Sequence, residues 1–249
     1  MDDLLKAVYD DDAAGVEAAV AAGANPNGPD EHLRTPLMWA AEWNKPQSMG
    51  ALIAAGAKVE TKGQDHVTAL LVAVESASVE AVKALIAAGA DLLVRDAHKE
   101  TPLTIALGRP LGFEERGLKM AKALADAMDE GAVRDELQRR LDRQQASLLK
   151  DRNATVGTVN EVVSKMKEVG IDVLDDEERG KLKKILEAGQ AIEAEMTTLW
   201  ESGNAILKSL EKEPRKAVDG AFQHGVKHHS LAFTNMSLLM SAEAFLHQL

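Results

Sequence analysis

Ala51-Leu52-Ile53-Ala54-Ala55-Gly56-Ala57 recurs at Ala84-Leu85-Ile86-Ala87-Ala88-Gly89-Ala90, 33 residues on. Thr35-Pro36-Leu37, Thr68-Ala69-Leu70 and Thr101-Pro102-Leu103 start at the same interval, as do Gly23-Ala24, Gly56-Ala57 and Gly89-Ala90. Two landmarks in phase at one period mark stacked copies of a single supersecondary unit. Such a unit cannot bury its apolar face alone, so each copy packs on its neighbours.

Each part of the motif has a mechanical reading. The Thr offers a side-chain oxygen as a helix cap, and Pro in the first turn loses no hydrogen bond. Leu and Ala then face the core from a short helix. A second helix follows, at Ala81 to Ala88 in the third copy. Gly89 ends it, because glycine takes the left-handed conformation without strain. Asp30 and Asp96 turn the chain into the next copy. Residues 35–67 and 68–100 are full copies. Residues 2–34 are a first copy without the Thr-Pro-Leu start, with Leu4 and Ala7 in register with Leu37 and Ala40. A fourth copy opens at Thr101 and carries extra residues around Arg109 to Gly117 before the pattern resumes at Ala121.

This pattern resembles the ankyrin repeat over roughly residues 1–128. The resemblance rests on Thr-Pro-Leu-x-x-Ala at 35–40 and 101–106 and on the two heptapeptides. It implies an all-α solenoid of about four repeats, holding a protein partner with its concave face and finger tips. Two features depart from the family. Its His after Thr-Pro-Leu is Met38, Leu71 and Thr104, which removes the inter-repeat hydrogen bonds of that His. Its turn Gly two residues before the Thr is Leu33, His66 and Lys99, which puts the standard turn geometry in question.

The chain has 249 residues, room for two domains. Eight aromatics and a preponderance of Ala, Leu and Val suit close helix stacking, and no alternating strand pattern appears. The absence of cysteine excludes disulfides, thiol catalysis and Cys-ligated metals, and fits a reducing compartment. The start, Met1-Asp2-Asp3-Leu4, carries no secretory pattern, and no apolar run reaches membrane-spanning length. A cytoplasmic location without membrane contact is therefore expected. A net charge of −11 opposes sequence-independent binding to nucleic acid. The first repeat is the most acidic, with Asp2, Asp3, Asp10, Asp11, Asp12, Glu17, Asp30 and Glu31 against Lys6 and Arg34. Those acids read either as a polar cap on the end of the stack or as a surface that steers a basic partner.

After Met128 the 33-residue period gives way to heptads. Leu182, Gly189, Met196, Gly203 and Leu210 occupy one seam position, and Ile185, Ile192, Leu199 and Ile206 the other. The two glycines suggest close approach of a neighbouring backbone. A preceding segment from Val133 to Val169 is similar in length, with Asn153 to Gly157 as a candidate break. The last segment starts at Pro214 and carries a three-four spacing through Val218, Phe222, Gly225, His229, Ala232, Met236 and Leu239. Residues 129–249 thus read as an elongated antiparallel bundle of about three long helices, following a repeat domain at 1–128. Short connections favour pairing within one chain, hence a monomer. The alternative is an oligomer built through the heptad seam.

No phosphate loop, nucleophile elbow or zinc-protease motif is present. His224 and His228 share a helical face but lack a third ligand at fixed spacing, and His229 falls on the predicted seam. No catalytic residue, metal or cofactor is assigned, and the chain reads as non-enzymatic. The rival reading places an enzymatic or metal-dependent activity in the last three helices. From the ankyrin resemblance, partner contacts fall on Tyr9 and Asp10, on Glu42 and Trp43, on Glu75, on Arg109, and on His66 at a finger tip. Trp39 is four residues from Trp43 and shares its face, either filling the groove between repeats or joining the interface. The resulting expectation is a protein-binding module, bacterial by its Ala-rich composition. The acidic first repeat leans toward an inhibitor or immunity protein masking a toxin or enzyme, with an effector docking on a host protein as the alternative.

Overall fold

The computed structural model describes residues 3–108, 114–170 and 173–248. These residues form helices and turns and no strand. Eight short helices come first: α1 (Asp3–Asp10), α2 (Ala13–Ala21), α3 (Pro36–Glu42), α4 (Pro46–Ala54), α5 (Ala69–Glu75), α6 (Val79–Ala87), α7 (Pro102–Leu107) and α8 (Glu114–Ala127). Three long ones follow: α9 (Glu130–Val169), α10 (Asp176–Leu210) and α11 (Ala217–Leu246). The chain divides into two compact units, residues 1–137 with 214–222, and residues 138–213 with 223–249.

In the first unit the odd-numbered helices α1, α3, α5 and α7 stack in one layer, and α2, α4, α6 and α8 in a second. Leu37, Leu70 and Leu103 stand at one register of the repeat and are all buried, as are Leu52 and Leu85 on the second helices. Thr35 and Thr101 cap α3 and α7, accepting from the backbone N–H of Met38 and Thr104. Thr68 does not follow them. Its hydroxyl is buried without a hydrogen-bond partner, and Ala69 stands where the other copies have Pro. In the third copy the second helix starts at Val79 rather than at Ala81. Ser78 ends the preceding turn, its hydroxyl donating to the Glu42 carbonyl one repeat back (3.2 Å).

The missing family His leaves no polar vacancy, because Met38, Leu71 and Thr104 are all buried in the stack. Polar bonds between repeats run through other residues. Asn27 donates to the Gly56 carbonyl (2.9 Å) and accepts from Lys58 N (2.7 Å). Asp11 accepts from Ser48 N (2.9 Å), and Asn44, 33 residues later, accepts from Ala81 N (3.0 Å). The finger turns also hold. Leu33, His66 and Lys99 all sit in the left-handed region, at φ 59°, 62° and 64°. The turn geometry that the family builds with Gly is thus kept by three residues with a Cβ. In the first and last of these turns an aspartate pins the loop: Asp30 accepts from Arg34 N (2.9 Å), and Asp96 from Glu100 N (2.8 Å).

The first turns of α9 complete this unit. Glu136 is buried, ion-paired with Arg95 (2.7 Å) and accepting from the Thr101 hydroxyl (3.1 Å). Arg215 closes the end of α8 by donating to the carbonyls of Ala125 (3.2 Å) and Met128 (2.7 Å).

The second unit is an antiparallel three-helix bundle. All nine predicted seam residues of α10, from Leu182 to Leu210, are buried. Leu182, Ile185, Ile192, Met196 and Leu199 pack with Leu148, Val162 and Met166 of α9 and with Leu231, Leu238 and Phe245 of α11. The seam is therefore consumed within the chain. Asp175 and Glu178 form a capping box at the start of α10. The two seam glycines admit side chains rather than a backbone. A Cβ at Gly189 would lie 2.8 Å from Val159 Cγ2, and one at Gly203 would lie 3.0 Å from His224 Nε2.

Two expectations fail here. Asn153 to Gly157 does not break α9, and the buried Thr155 has partners: its hydroxyl lies within hydrogen-bond distance of the Asp151 carbonyl (2.8 Å) and of the Asn235 side chain (2.5 Å). On α11 the inward face past Gly225 is Leu231, Asn235, Leu238, Ala242 and Phe245, whereas His229 and Met236 are exposed. The predicted seam followed apolar spacing, and the true one includes polar residues that are satisfied across helices.

Candidate functional site

The residues assigned to partner contact at the near end of the stack come together. Tyr9 ends α1, and Trp39 and Trp43 lie one turn apart at the end of α3. The Trp39 and Trp43 rings stack at 5.0 Å, and Tyr9 meets Trp43 edge-on at 5.3 Å and 85°. A cation stands at each end of this ladder. The Arg34 guanidinium lies 4.4 Å from the Trp39 ring centre, and Lys45 Nζ lies 5.5 Å from that of Tyr9. Such contacts contribute on the order of 1 kcal/mol each and hold the rings in place.

Carboxylates fix the cations and rings in turn. Glu42 is ion-paired with Arg34 and makes no well-aligned hydrogen bond there. Asp30 accepts from the Trp39 indole N–H (3.0 Å) as well as from the backbone of His32 (2.8 Å) and Arg34. Desolvation works against the Asp30 carboxylate, but the Arg34, His32 and Trp39 N–H groups together outweigh it and hold its pKa below the usual range. Trp39 and Trp43 are half-buried, whereas Tyr9 is 55% exposed and forms the open rim of the ladder. Trp39 therefore ties Trp43 to the finger turn through Asp30 and Arg34.

Two hollows flank the ladder within the first unit. One, of about 400 Å³, lies between adjacent finger turns and is lined by Arg34, Met38, Trp39, Gly63, Val72 and Glu75. The other, of about 530 Å³, is lined by Glu42, Trp43, Ser76, Glu80, Lys83 and Arg116. Asp10 and Glu75 are exposed at the ends of α1 and α5, and His66 is exposed on its finger turn. Arg109 lies outside the described residues. Asp30 and Lys45 were not among the predicted contact residues. They join the site only through the fold, since Asp30 is on the turn and Lys45 lies past the end of α3.

The histidines of α11 form a separate cluster. His224 is buried, with Nε2 on the Leu199 carbonyl (3.1 Å) and Nδ1 on the Gln144 side chain (3.2 Å). His228 stacks beside it at 6.5 Å, its Nε2 on the Gln144 carbonyl (3.1 Å). Both ring nitrogens of His224 are thus engaged by protein groups, which makes it a core side chain rather than a metal ligand. Burial pushes its pKa down to about 4, and burial lowers that of His228 as well. Among the bundle's hollows, one of about 310 Å³ is lined by Leu148, Leu149, Met196, Trp200, Thr197 and Arg152. Arg152 is ion-paired with Glu193 (3.0 Å).

A family model described as ankyrin repeats (3 copies) matches residues 37–132, which are an ankyrin repeat segment. No curated protein matches the chain. Ankyrin repeats are a protein–protein interaction module, and the fold itself is not a catalytic one. Among the described residues, no helix is long and apolar enough to cross a membrane.

Proposed function

We propose that the repeat domain captures a basic protein partner on the face carrying Tyr9, Trp39 and Trp43. The aromatic ladder is the observation that carries this reading. Its rings are preorganised by Arg34, Asp30 and Glu42, so little side-chain freedom is lost on binding. Aromatic side chains are the usual anchors of such interfaces. Asp10 adjoins Tyr9 at the end of α1 and Glu75 stands exposed at the end of α5, and a net charge of −11 would speed encounter with a cationic surface. In this reading the chain is a non-enzymatic cytoplasmic inhibitor that masks a basic toxin or enzyme.

The test compares capture by the intact chain, by Tyr9→Ala and by a control variant, Glu17→Gln, on the exposed side of α2. A partner held by this face is retained by the first and third proteins and loses about tenfold in affinity, roughly 1.4 kcal/mol, with Tyr9→Ala. Thermal unfolding of Tyr9→Ala should stay near that of the intact chain, because the ring is more than half exposed. Equal retention of every captured protein by Tyr9→Ala would remove the ladder from the interface.

A further inference from the structure

Asn27-Gly28 is the only Asn-Gly step in the chain. Such a step is chemically labile, because glycine has no side chain to shield its own nitrogen from the asparagine beside it. The Gly28 nitrogen can attack Asn27 Cγ. The new N–C bond closes a succinimide ring, the Cγ–Nδ2 bond breaks, and the side-chain nitrogen leaves as ammonia with the proton from Gly28. Water then opens the ring at either carbonyl. The product is aspartate, or isoaspartate with the main chain running through Cγ.

The fold holds both reacting groups back. Gly28 N donates to the Asn25 carbonyl (3.1 Å), closing a turn over Pro26 and Asn27. Asn27 N donates to Asn25 Oδ1 (2.9 Å) in the same turn. The Asn27 side chain is bonded to the next repeat at both polar atoms, through the Gly56 carbonyl (2.9 Å) and Lys58 N (2.7 Å). Attack therefore waits until the first repeat separates from the second. A stacked array opens most readily there, since a terminal repeat has a neighbour on one side only. Asn27 is half-buried in the closed stack, so water already has access to the site.

We infer that Asn27 is a self-modification site, gated by detachment of the first repeat, and that its conversion makes the detachment permanent. Aspartate at 27 would place a carboxylate oxygen where Nδ2 now donates, facing the Gly56 carbonyl, and a buried acceptor set against an acceptor is costly. Isoaspartate would add Cβ to the main chain within the turn and lose the register of its hydrogen bonds. Either product loosens the repeat that carries Tyr9 from the one that carries Trp43. The inference concerns this junction alone and does not depend on what the ladder binds.

Mass mapping of the peptide that carries Asn27, after incubation of the intact chain at mildly alkaline pH, tests the gate. Conversion should be at least about tenfold slower in the folded chain than in the urea-unfolded chain. Asp11→Gly removes the acceptor that holds Ser48 N across the same junction (2.9 Å) and suits the backbone there, at φ 55°. It should speed conversion about fivefold, the worth of one hydrogen bond. Leu231→Ala, a core change in the second unit, should leave the rate as it is. Equal rates in the folded and unfolded chains overturn the inference. So does acceleration by Leu231→Ala to match that of Asp11→Gly, since the gate would then be unfolding of the whole chain. Asn27→Asp supplies one product directly and should lose part of the near-ultraviolet circular dichroism of the Tyr9–Trp43 pair. A spectrum identical to that of the intact chain would overturn the claim that conversion makes the detachment permanent.

Discussion

At the scale of single residues, Leu33 is the clearest case of sequence and backbone pulling apart. It is a β-carbon-bearing residue at φ 59°, 55% exposed, in a turn where ankyrin repeats use Gly. The left-handed conformation costs an ordinary L-residue about 1–2 kcal/mol, and this side chain recovers little by packing. Leu33→Gly should therefore raise stability by about 1 kcal/mol, less what glycine adds to the entropy of the unfolded chain. Urea unfolding followed by circular dichroism would show it as a higher midpoint at unchanged slope. A lower midpoint would mean that the Leu33 side chain has a packing role. The sequence marked Leu33, His66 and Lys99 as departures, and that was correct. It did not reveal that the departures leave the turn intact, because the Asp30 and Asp96 hydrogen bonds that hold it depend on three-dimensional closure of the loop.

At the scale of the element, α10 was legible and α11 was not. All the buried positions of α10 follow one heptad, so periodicity alone identified its buried face. On α11 two faces compete. The apolar Phe233, Met236 and Met240 point outward, while the buried side includes His224 and Asn235. Hydrophobic spacing cannot rank a satisfied polar residue above an exposed Met, since the partners Gln144, Leu199 and Thr155 come from other helices. Helical glycines show the same contrast. A Cβ at Gly157 meets open space, so Gly157→Ala should stabilise the bundle by about 0.5–1 kcal/mol through helix propensity. At Gly203 the same change puts a Cβ 3.0 Å from His224 Nε2, on a ring held at both nitrogens. Overpacking of this kind costs about 1–3 kcal/mol, which exceeds the propensity gain. Gly203→Ala should therefore lower the melting temperature, and a rise would show that the His224 ring can shift.

At the scale of the whole molecule, the buried His224 couples the bundle to pH. Its folded pKa, about 4, lies below the unfolded value near 6.5. The folded state thus resists protonation, and the stability involved is complete above about pH 6.5 and lost as pH falls toward 4. The charged and polar groups facing the pair are Gln144, Arg140 and Asp151 from α9, the Leu199 carbonyl from α10, and Lys227 and His229 on α11. Melting temperature should be flat between pH 8 and 7 and fall by several degrees between 6.5 and 4.5. His224→Gln should flatten part of that fall, and an identical slope in the variant would clear His224 of the effect. The repeat period, the heptad of α10 and the absence of cysteine were determined by the sequence alone, because stacking and helix pairing are periodic and local pattern records period. The assembly of Arg34, Trp39, Trp43, Tyr9 and Lys45 into one ladder was decided by tertiary structure, as were the satisfied polar core at His224 and Asn235 and the exposed apolar positions of α11. Each of these depends on which surfaces meet, and that is settled by packing between segments distant in the chain.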